Sequence, residues 1–310
     1  MEFNHVSVLL NECIDGLNIR PDGIYCDGTA GGAGHSREIA KRLNGELGGR
    51  LVAIDRDPEA VAVARERLKG LPATVVQGNY SEIDDILEQL GISGLDGMLL
   101  DLGVSSYQLD NGERGFSYHT DAPLDMRMSS EGISAKDVVN GYDYQALSRI
   151  IFEYGEEKFA RSIALKIVKA REEKPIETTL ELAEIIKSGV PQKVRRDKNP
   201  CKKTFQAIRI EVNNELEHLN VALDKAFDAL NVGGRLCIIS FHSLEDRLVK
   251  QRFQSFCRGC ICPPDFPQCI CGQTPRGKLI TRKPVEASEE ELAVNKRSHS
   301  AKLRIIQKIK

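Results

Sequence analysis

The chain contains the stretch DGTAGGAGHS at residues 27–36. An apolar run, residues 24–26, precedes this stretch, and a helix-compatible segment, residues 36–43, follows it. A strand, a tight glycine turn and a helix in this order bring backbone amides against a nucleotide-like ligand. Glycines suit the turn because a Cβ would block both positive φ angles and the close approach of a ligand. The stretch therefore predicts a nucleotide-binding loop at the end of a first β-strand.

The next apolar run, residues 51–54, ends in Asp55. An acid at that position typically accepts hydrogen bonds from the ribose of an adenosine. The loop is not a dinucleotide fingerprint, because Arg37 stands where the last glycine should fall. The acid Asp27 favours a cationic ligand over a pyrophosphate. S-adenosylmethionine, with its sulfonium and amino groups, is therefore the predicted cofactor. A nicotinamide cofactor and a turn that merely connects two elements are the alternatives.

Length and composition restrict the class of protein. The chain has 310 residues, 41% of them hydrophobic and 28% charged, which predicts one large or two ordinary globular domains. No apolar run approaches the length of a membrane span, and the N-terminus lacks a signal segment, so we expect a cytoplasmic protein with no membrane partner. The net charge of -2 means that a nucleic-acid surface would have to come from local basic patches.

Strand-like and helix-like segments alternate up to residue 103, which predicts an α/β fold with a mostly parallel sheet. Residues 104–201 are first irregular and then helical, and we interpret them as a helical insert for substrate recognition. A long helix is predicted over residues 206–230, and strands follow at 235–241, 277–283 and 301–309. The expected organisation is a core in two parts, 1–103 and 202–310, which share one Rossmann-like, seven-stranded sheet.

Ligands of open parallel sheets bind beyond the carboxyl ends of the strands. Asp101 ends the fourth predicted strand, next to the reactive end of a cofactor, and Ser105 and Ser106 follow it. A carboxylate there could hold the hydrogens of an exocyclic base amine while the nitrogen approaches a methyl group in line. A solvated loop acid or a helix cap is the alternative for each such acid. We predict that Asp101 is catalytic and that the two serines orient the nucleophile.

Candidate RNA-binding residues lie elsewhere in the sequence. A basic stretch, residues 187–203, could contact phosphates, although a solvated loop is as good an interpretation. Arg127 follows the catalytic strand in an irregular segment, and His242 follows the fifth strand, where a structural loop histidine is the alternative. The predicted RNA-binding set comprises Arg127, Lys193, Arg195, Arg196, Lys198 and His242.

Five cysteines form a C-x2-C-x-C-x6-C-x-C cluster in a proline-containing loop. Four thiolates from such a cluster could form a tetrahedral, structural zinc site, and a disulfide or free thiols are the alternatives. The predicted metal ligands are four of Cys257, Cys260, Cys262, Cys269 and Cys271.

Together these stretches resemble the bacterial 16S ribosomal RNA (cytosine-N4)-methyltransferases. The resemblance spans nearly the whole chain, in the order of that family, and rests on residues 5–10, 34–36, 53–57, 101–106, 114–117, 123–128, 204–207 and 240–247. It implies a class I methyltransferase core with a helical substrate domain. A DNA amino-methyltransferase is disfavoured, because those enzymes usually have Pro-Pro-aromatic after the polar residue that Asp101 would match.

The resemblance also implies roles for particular residues. Tyr80 stands where the family has an aromatic side chain beside the adenine. The substrate would be a cytidine in the decoding region of 16S ribosomal RNA, within the small subunit or a late assembly intermediate, and a homodimer is open. The implied cofactor-binding residues are Ala33, Gly34, His35, Asp55, Tyr80, Asp101 and Gln108.

Overall fold

The computed structural model describes residues 7–105, 112–129, 131–197, 199–260, 262–263, 268 and 270–310, with the backbone alone at 194, 196 and 197. The chain divides into two compact units. The first unit combines Met1–Gly103 with Leu216–Lys310, and the second comprises Val104–Glu215.

A seven-stranded sheet forms the centre of the first unit, with strand order β3-β2-β1-β4-β5-β7-β6. Strands β1 to β5 are parallel to one another, and β7 runs antiparallel to β5 and β6. The mostly parallel seven-stranded sheet predicted from the sequence is thus confirmed. The strands are β1 (Ile24–Asp27), β2 (Arg50–Asp55), β3 (Ala73–Gln77), β4 (Leu95–Asp101), β5 (Leu230–Ser240), β6 (Gly277–Leu279) and β7 (Lys302–Lys308).

Both faces of the sheet are buried, which explains the continuous apolar runs of its central strands. In β2, Leu51 and Ala53 join one hydrophobic cluster, whereas Val52 and Ile54 join the cluster on the opposite face. The chain order reverses between β1 and β4, because later strands are added on the β4 side. A ligand crevice is expected at that reversal, beyond the carboxyl ends of the two strands.

The helices of the first unit cover the sheet. Asp57 caps the third helix, accepting from the Glu59 N–H at 3.0 Å, and Pro58 opens its first turn. The first helix and the last helix were not predicted from the sequence. The helices are α1 (Leu10–Leu17), α2 (Gly34–Ala40), α3 (Pro58–Arg67), α4 (Ile83–Gln89), α11 (Glu215–Asp228, its first residue in the second unit), α12 (Ser243–Cys257) and α13 (Glu289–Val294).

The second unit is helical and has its own hydrophobic core, which includes Leu147, Ile163 and Ile208. The predicted end of the insert at residue 201 differs from the observed unit, which extends to Glu215, because α10 packs against other helices of the insert. The helices of this unit are α5 (Ala135–Gly141), α6 (Tyr144–Glu153), α7 (Ala160–Glu173), α8 (Thr179–Ser188), α9 (Gln192–Asp197) and α10 (Cys201–Asn213).

The single helix predicted over residues 206–230 is wrong, because two helices, α10 and α11, occupy this segment. Asn214 between them has a left-handed backbone with φ 50°, which ends α10. The Asn213 side chain accepts from the Met128 N–H at 2.8 Å and donates to the Met126 C=O at 2.7 Å. These bonds tie the end of α10 to a segment about 85 residues earlier in the chain. Among the described residues, no helix is long and apolar enough to cross a bilayer.

Candidate active site

The glycine-rich stretch folds as the predicted loop between β1 and α2. Gly31 and Ala33 have left-handed backbone, with φ of 49° and 59°, and Ala33 lies at the N-cap of α2. The Ala30 N–H donates to a β2 carbonyl oxygen at 2.8 Å, and the Gly28 N–H donates to a β4 carbonyl oxygen at 2.9 Å. A Cβ on Gly28 would lie 2.5 Å from the Leu100 side chain. The loop is therefore fixed to the strands on both sides of β1.

Two hydroxyl side chains that the sequence reasoning missed hold this loop. The Ser36 hydroxyl donates to Asp27 Oδ2 at 2.5 Å, while Asp27 Oδ1 accepts from the Thr29 N–H at 3.1 Å. The Thr29 hydroxyl in turn accepts from the Asp101 N–H at 2.6 Å. The Asp-x-Thr spacing is a sequence signal for the turn at Asp27, because Asp side chains accept from the backbone two residues on. The bond between Thr29 and Asp101 has no local signal.

Asp55 lies at the end of β2, where the sequence predicts a ribose-binding acid. Its Oδ2 accepts from the Gly31 N–H at 2.7 Å, and its Oδ1 accepts from the Asp57 N–H at 2.9 Å. Each carboxylate oxygen has a second lone pair, so these bonds leave acceptor capacity for a ligand. The structure brings Asp55 to the glycine loop as predicted, and its contact with a ribose stays a prediction.

Asp101 is the last residue of β4, on the other side of β1 from Asp55. Its Oδ2 lies 3.7 Å from His35 Nδ1, which is beyond hydrogen-bonding distance. Its Oδ1 is buried, and no donor within the described residues reaches it. An unpaired buried acceptor costs free energy, so its presence at the expected ligand crevice favours a donor supplied by a ligand.

Burial shifts the ionisation of both acids. It raises the pKa of Asp55 from 3.8 to about 6, although hydrogen bonds from the Asp57 and Gly31 amides oppose the shift. Burial also raises the pKa of Asp101 from 3.8 to about 6, opposed by His35 and reinforced by the negative charge of Asp27. Both carboxyls therefore hold a proton more readily than an exposed aspartate does.

The surrounding charges are mainly negative. Burial raises the pKa of Asp27 as well, and the nearby His35 opposes that shift. Asp27 and Asp101 thus share the imidazole of His35, which has no such effect on Asp55. A cation in this crevice would stabilise the ionised forms of all three acids. The sulfonium and amino groups of S-adenosylmethionine fit this requirement, whereas a pyrophosphate would add negative charge.

Other predicted cofactor residues border the same loop. His35 is buried in the first turn of α2, and its Nε2 lies 3.0 Å from the Val8 carbonyl oxygen, so its side chain also anchors the N-terminal segment. A Cβ on Gly34 would clash with the Ser7 hydroxyl at 2.0 Å. Tyr80 is partly buried after β3, against one of the hydrophobic clusters that line the sheet. Ala33, Gly34 and His35 are thus brought together with the two acids.

Several predicted site residues lie in or beside the segments that the structure leaves undescribed. Ser106 and Gln108 lie outside the described residues, as does Lys198, and the Arg196 side chain is not described. Ser105 is described and belongs to the second unit. Its predicted role stays a prediction.

The described RNA-binding candidates occupy different settings. The middle of the basic stretch forms a short helix, α9, which exposes Lys193 and Arg195, whereas its ends belong to α8 and α10. The Arg195 Nε donates to the Val190 carbonyl oxygen at 2.8 Å. Arg127 forms a two-point pair with Asp125, with distances of 2.9 Å and 2.8 Å.

His242 has a structural role. It is the N-cap of α12, and its Nδ1 accepts from the Glu245 N–H at 3.4 Å while Glu245 Oε2 accepts from the Phe241 N–H at 2.8 Å. Only 8% of the His242 side chain is exposed. This placement matches the structural alternative from the sequence, and its contact with RNA stays a prediction.

The described cysteines of the cluster fall into two groups: three whose sulfur atoms lie close together, and Cys257, which lies against the core. The Sγ atoms of Cys260, Cys262 and Cys271 all lie within 4.8 Å of one another. Cys257 ends α12 and packs against a hydrophobic cluster of the core, and burial raises the pKa of its thiol. Cys269 lies outside the described residues.

The mostly parallel seven-stranded sheet, with an acidic glycine loop at its ligand crevice, is that of a class I methyltransferase that uses S-adenosylmethionine. The chain belongs to the MraW methylase family, whose model matches residues 2–309. The ribosomal RNA small subunit methyltransferase H of Lachnospira eligens is 58% identical, over 100% of this chain and 99% of that protein. The protein of the same name from Clostridium botulinum strain Kyoto is 55% identical over 100% of both chains.

Among solved structures, an rRNA methylase from Streptococcus thermophilus aligns with 99% of this chain and 99% of its own. It has 11% sequence identity and a TM-score of 0.44, a level of similarity on which the family assignment does not depend.

Proposed function

We propose that this methyltransferase transfers the methyl group of S-adenosylmethionine to the N4 amine of a cytidine in the decoding region of 16S ribosomal RNA. The relatives from Lachnospira eligens and Clostridium botulinum, which match the full chain, are named for the ribosomal RNA of the small subunit. The observation that carries the catalytic proposal is the buried Oδ1 of Asp101 at the end of β4, which no donor reaches from any residue that the structure describes.

In this reaction the bond between the methyl carbon and sulfur breaks, and its electron pair returns to sulfur. A bond from N4 to the methyl carbon forms, and one of the two amine protons leaves. The products are S-adenosylhomocysteine, N4-methylcytidine and a proton. The amine lone pair is delocalised into the ring, so an acceptor that holds the amine hydrogens assists the change in geometry at nitrogen.

Asp101 suits the role of that acceptor. Its raised pKa of about 6 leaves it mostly ionised at neutral pH and still able to take a proton during the reaction. Asp55 holds the ribose, Tyr80 lies beside the adenine, and the loop residues Ala33 and Gly34 allow close approach of the cofactor. Ser105 and Ser106, which follow Asp101 in the chain, orient the amine.

The RNA substrate requires a basic surface. The exposed Lys193 and Arg195 of α9 supply phosphate contacts, with Arg196 and Lys198 beside them in the sequence. Arg127, in the irregular segment that follows β4, supplies a further contact. The substrate is the small subunit or a late assembly intermediate in the cytoplasm. The homodimer that the sequence leaves open is tested by light scattering of the purified chain.

An Asp101→Asn variant tests the catalytic proposal. The amide keeps the shape of the side chain but removes its charge, so methylation of small-subunit RNA should fall roughly 100- to 10,000-fold. S-adenosylmethionine binding should weaken far less. Mass spectrometry of nucleosides from the treated RNA measures N4-methylcytidine directly.

Asp96→Asn is the matched control, because Asp96 lies at the opposite end of the same strand and accepts from the Ile24 N–H. The control should methylate at close to the wild-type rate. Normal turnover by Asp101→Asn would refute the assigned role, and methylation of a base other than cytosine would refute the substrate.

A further inference from the structure

The loop between α12 and β6 has an ordered base. The Arg276 N–H donates to the Phe256 carbonyl oxygen at 2.8 Å, which brings the two ends of the loop together. The Arg276 guanidinium also lies 5.2 Å from the ring of Phe227 and 5.6 Å from that of Phe256, and these rings stack at 4.0 Å. Arg276 further pairs with Asp228. The base of the loop is therefore held by backbone, aromatic and ionic contacts.

The described residues in the rest of the loop form no hydrophobic core of their own. Of the described residues between 257 and 275, none is buried, and Ile270 is 76% exposed. Segments that bury so little apolar surface usually depend on a disulfide or a metal ion to keep one conformation. The three clustered cysteines lie in this part of the loop.

The sulfur positions match a metal site better than a disulfide. Cys260 Sγ and Cys271 Sγ are 3.8 Å apart, and Cys262 Sγ lies within 4.8 Å of both. A tetrahedral zinc with Zn–S bonds of about 2.3 Å requires sulfur atoms roughly 3.8 Å apart. A disulfide requires about 2.05 Å.

The backbone supports the sulfur atoms as it would support thiolates. The Cys262 N–H donates to Cys260 Sγ at 3.4 Å, and the Ile270 N–H donates to Cys262 Sγ at 3.4 Å. Donors aimed at sulfur favour the deprotonated form, which is the form that binds a metal. Cys257 differs, because it packs against the core and burial raises the pKa of its thiol.

We propose that Cys260, Cys262 and Cys271 bind a zinc ion that holds the α12–β6 loop in one conformation, and that Cys257 is not a ligand. Three thiolates leave one corner of the tetrahedron for a further ligand. The ion lies in a loop outside the glycine-loop crevice, and its role is structural. Binding releases protons from the thiols, so it weakens at low pH.

Metal analysis of the full-length protein, purified under reducing conditions, tests this proposal. The wild type should contain about one zinc per chain. A variant with Cys260→Ser, Cys262→Ser and Cys271→Ser should lose at least about nine-tenths of it, whereas Cys257→Ser should keep it. Cobalt substitution gives a second readout, because thiolate-to-cobalt charge-transfer absorption should appear in the wild type and in Cys257→Ser but not in the triple variant.

The proposal fails if folded wild-type protein holds no more zinc than the triple variant. It also fails if folded Cys257→Ser loses the metal, or if mass spectrometry finds these cysteines joined as a disulfide after purification with a reductant. Circular dichroism establishes that each variant is folded. Methylation by the same preparations is measured separately, so a failure of the zinc site is distinguishable from a failure of the proposed enzyme activity.

Discussion

The acidic crevice predicts that binding of S-adenosylmethionine depends steeply on pH. Asp55 and Asp101 each have a pKa raised to about 6, so both hold protons in the free protein at lower pH. A cationic cofactor favours the ionised forms, and these protons must therefore leave when it binds. Affinity should rise as the pH rises through about 6 and fall as the pH drops below it.

The size of the effect follows from the pKa values. A carboxyl with a pKa of about 6 is almost fully ionised at about pH 7.5 and about one-tenth ionised at about pH 5. If binding requires one ionised group, affinity falls about tenfold over this range, and two required groups give about a hundredfold. The Asp55→Asn variant should therefore retain about a tenfold change, contributed by Asp101.

Isothermal titration calorimetry at several pH values measures this dependence. S-adenosylhomocysteine is the matched ligand, because it has the same amino and carboxyl groups but lacks the sulfonium charge, and its binding should change less. Asp15→Asn, at an exposed position of α1, is the matched variant and should behave as the wild type. A wild-type dissociation constant that stays within about twofold between about pH 7.5 and about pH 5 would refute the reasoning.

Three further predictions concern the loop, the RNA surface and the insert. Gly28→Ala places a Cβ 2.5 Å from the Leu100 side chain of β4, so it should lower the free energy of unfolding by about 1–3 kcal/mol in denaturant titration. Gly141→Ala is the control, because open space surrounds that position, and it should leave the free energy of unfolding unchanged. The double variant Lys193→Gln, Arg195→Gln should reduce the slope of log affinity for RNA against log salt by about 0.7 per lost phosphate contact, and an unchanged slope would exclude these contacts. Arg209→Met removes the cation that pairs with Glu215, whose side chain is only 8% exposed, and should lower the stability of the fold by about 3 kcal/mol. Thermal unfolding measures this loss, and an unchanged midpoint would contradict the prediction.

The sheet could be predicted from sequence because its strands are short apolar runs that end in turn residues. Residues 51–55 illustrate this, since both faces of β2 are buried and each side chain is apolar until Asp55. The break at Asn214 could not be predicted in the same way. It coincides with bonds from Asn213 to a segment about 85 residues earlier, and no local pattern encodes such contacts.

In the candidate site, too, features encoded in the local sequence could be predicted, whereas contacts between distant segments could not. Asp55 and Asp101 were predicted because an acid at a strand end is visible in the sequence. The pairing of Thr29 with Asp101 depends on β1 lying beside β4, and these two residues are 72 positions apart in the chain. The helix-capping role of His242 could have been found from Glu245 three residues later, which is the spacing of a capping box.

The hydrogen bonds at the crevice separate the acids by role. Asp27 and Asp55 each accept two donors from the loop and its flanks, so their carboxylates hold the loop in the conformation that a cofactor would meet. The Asp101 side chain differs, because its Oδ2 lies 3.7 Å from His35 Nδ1 without a hydrogen bond and its Oδ1 has no donor among the described residues. Only the backbone N–H of Asp101 bonds to the loop, through Thr29. Within the part of the chain that the structure describes, Asp101 is the one of these three acids with a buried acceptor that no donor reaches, and it bears the free energy cost of that acceptor. A substrate that donates an amine hydrogen to Oδ1 would remove this cost. For that reason the proposed catalytic role falls to Asp101, whereas Asp27 and Asp55 hold the loop in place.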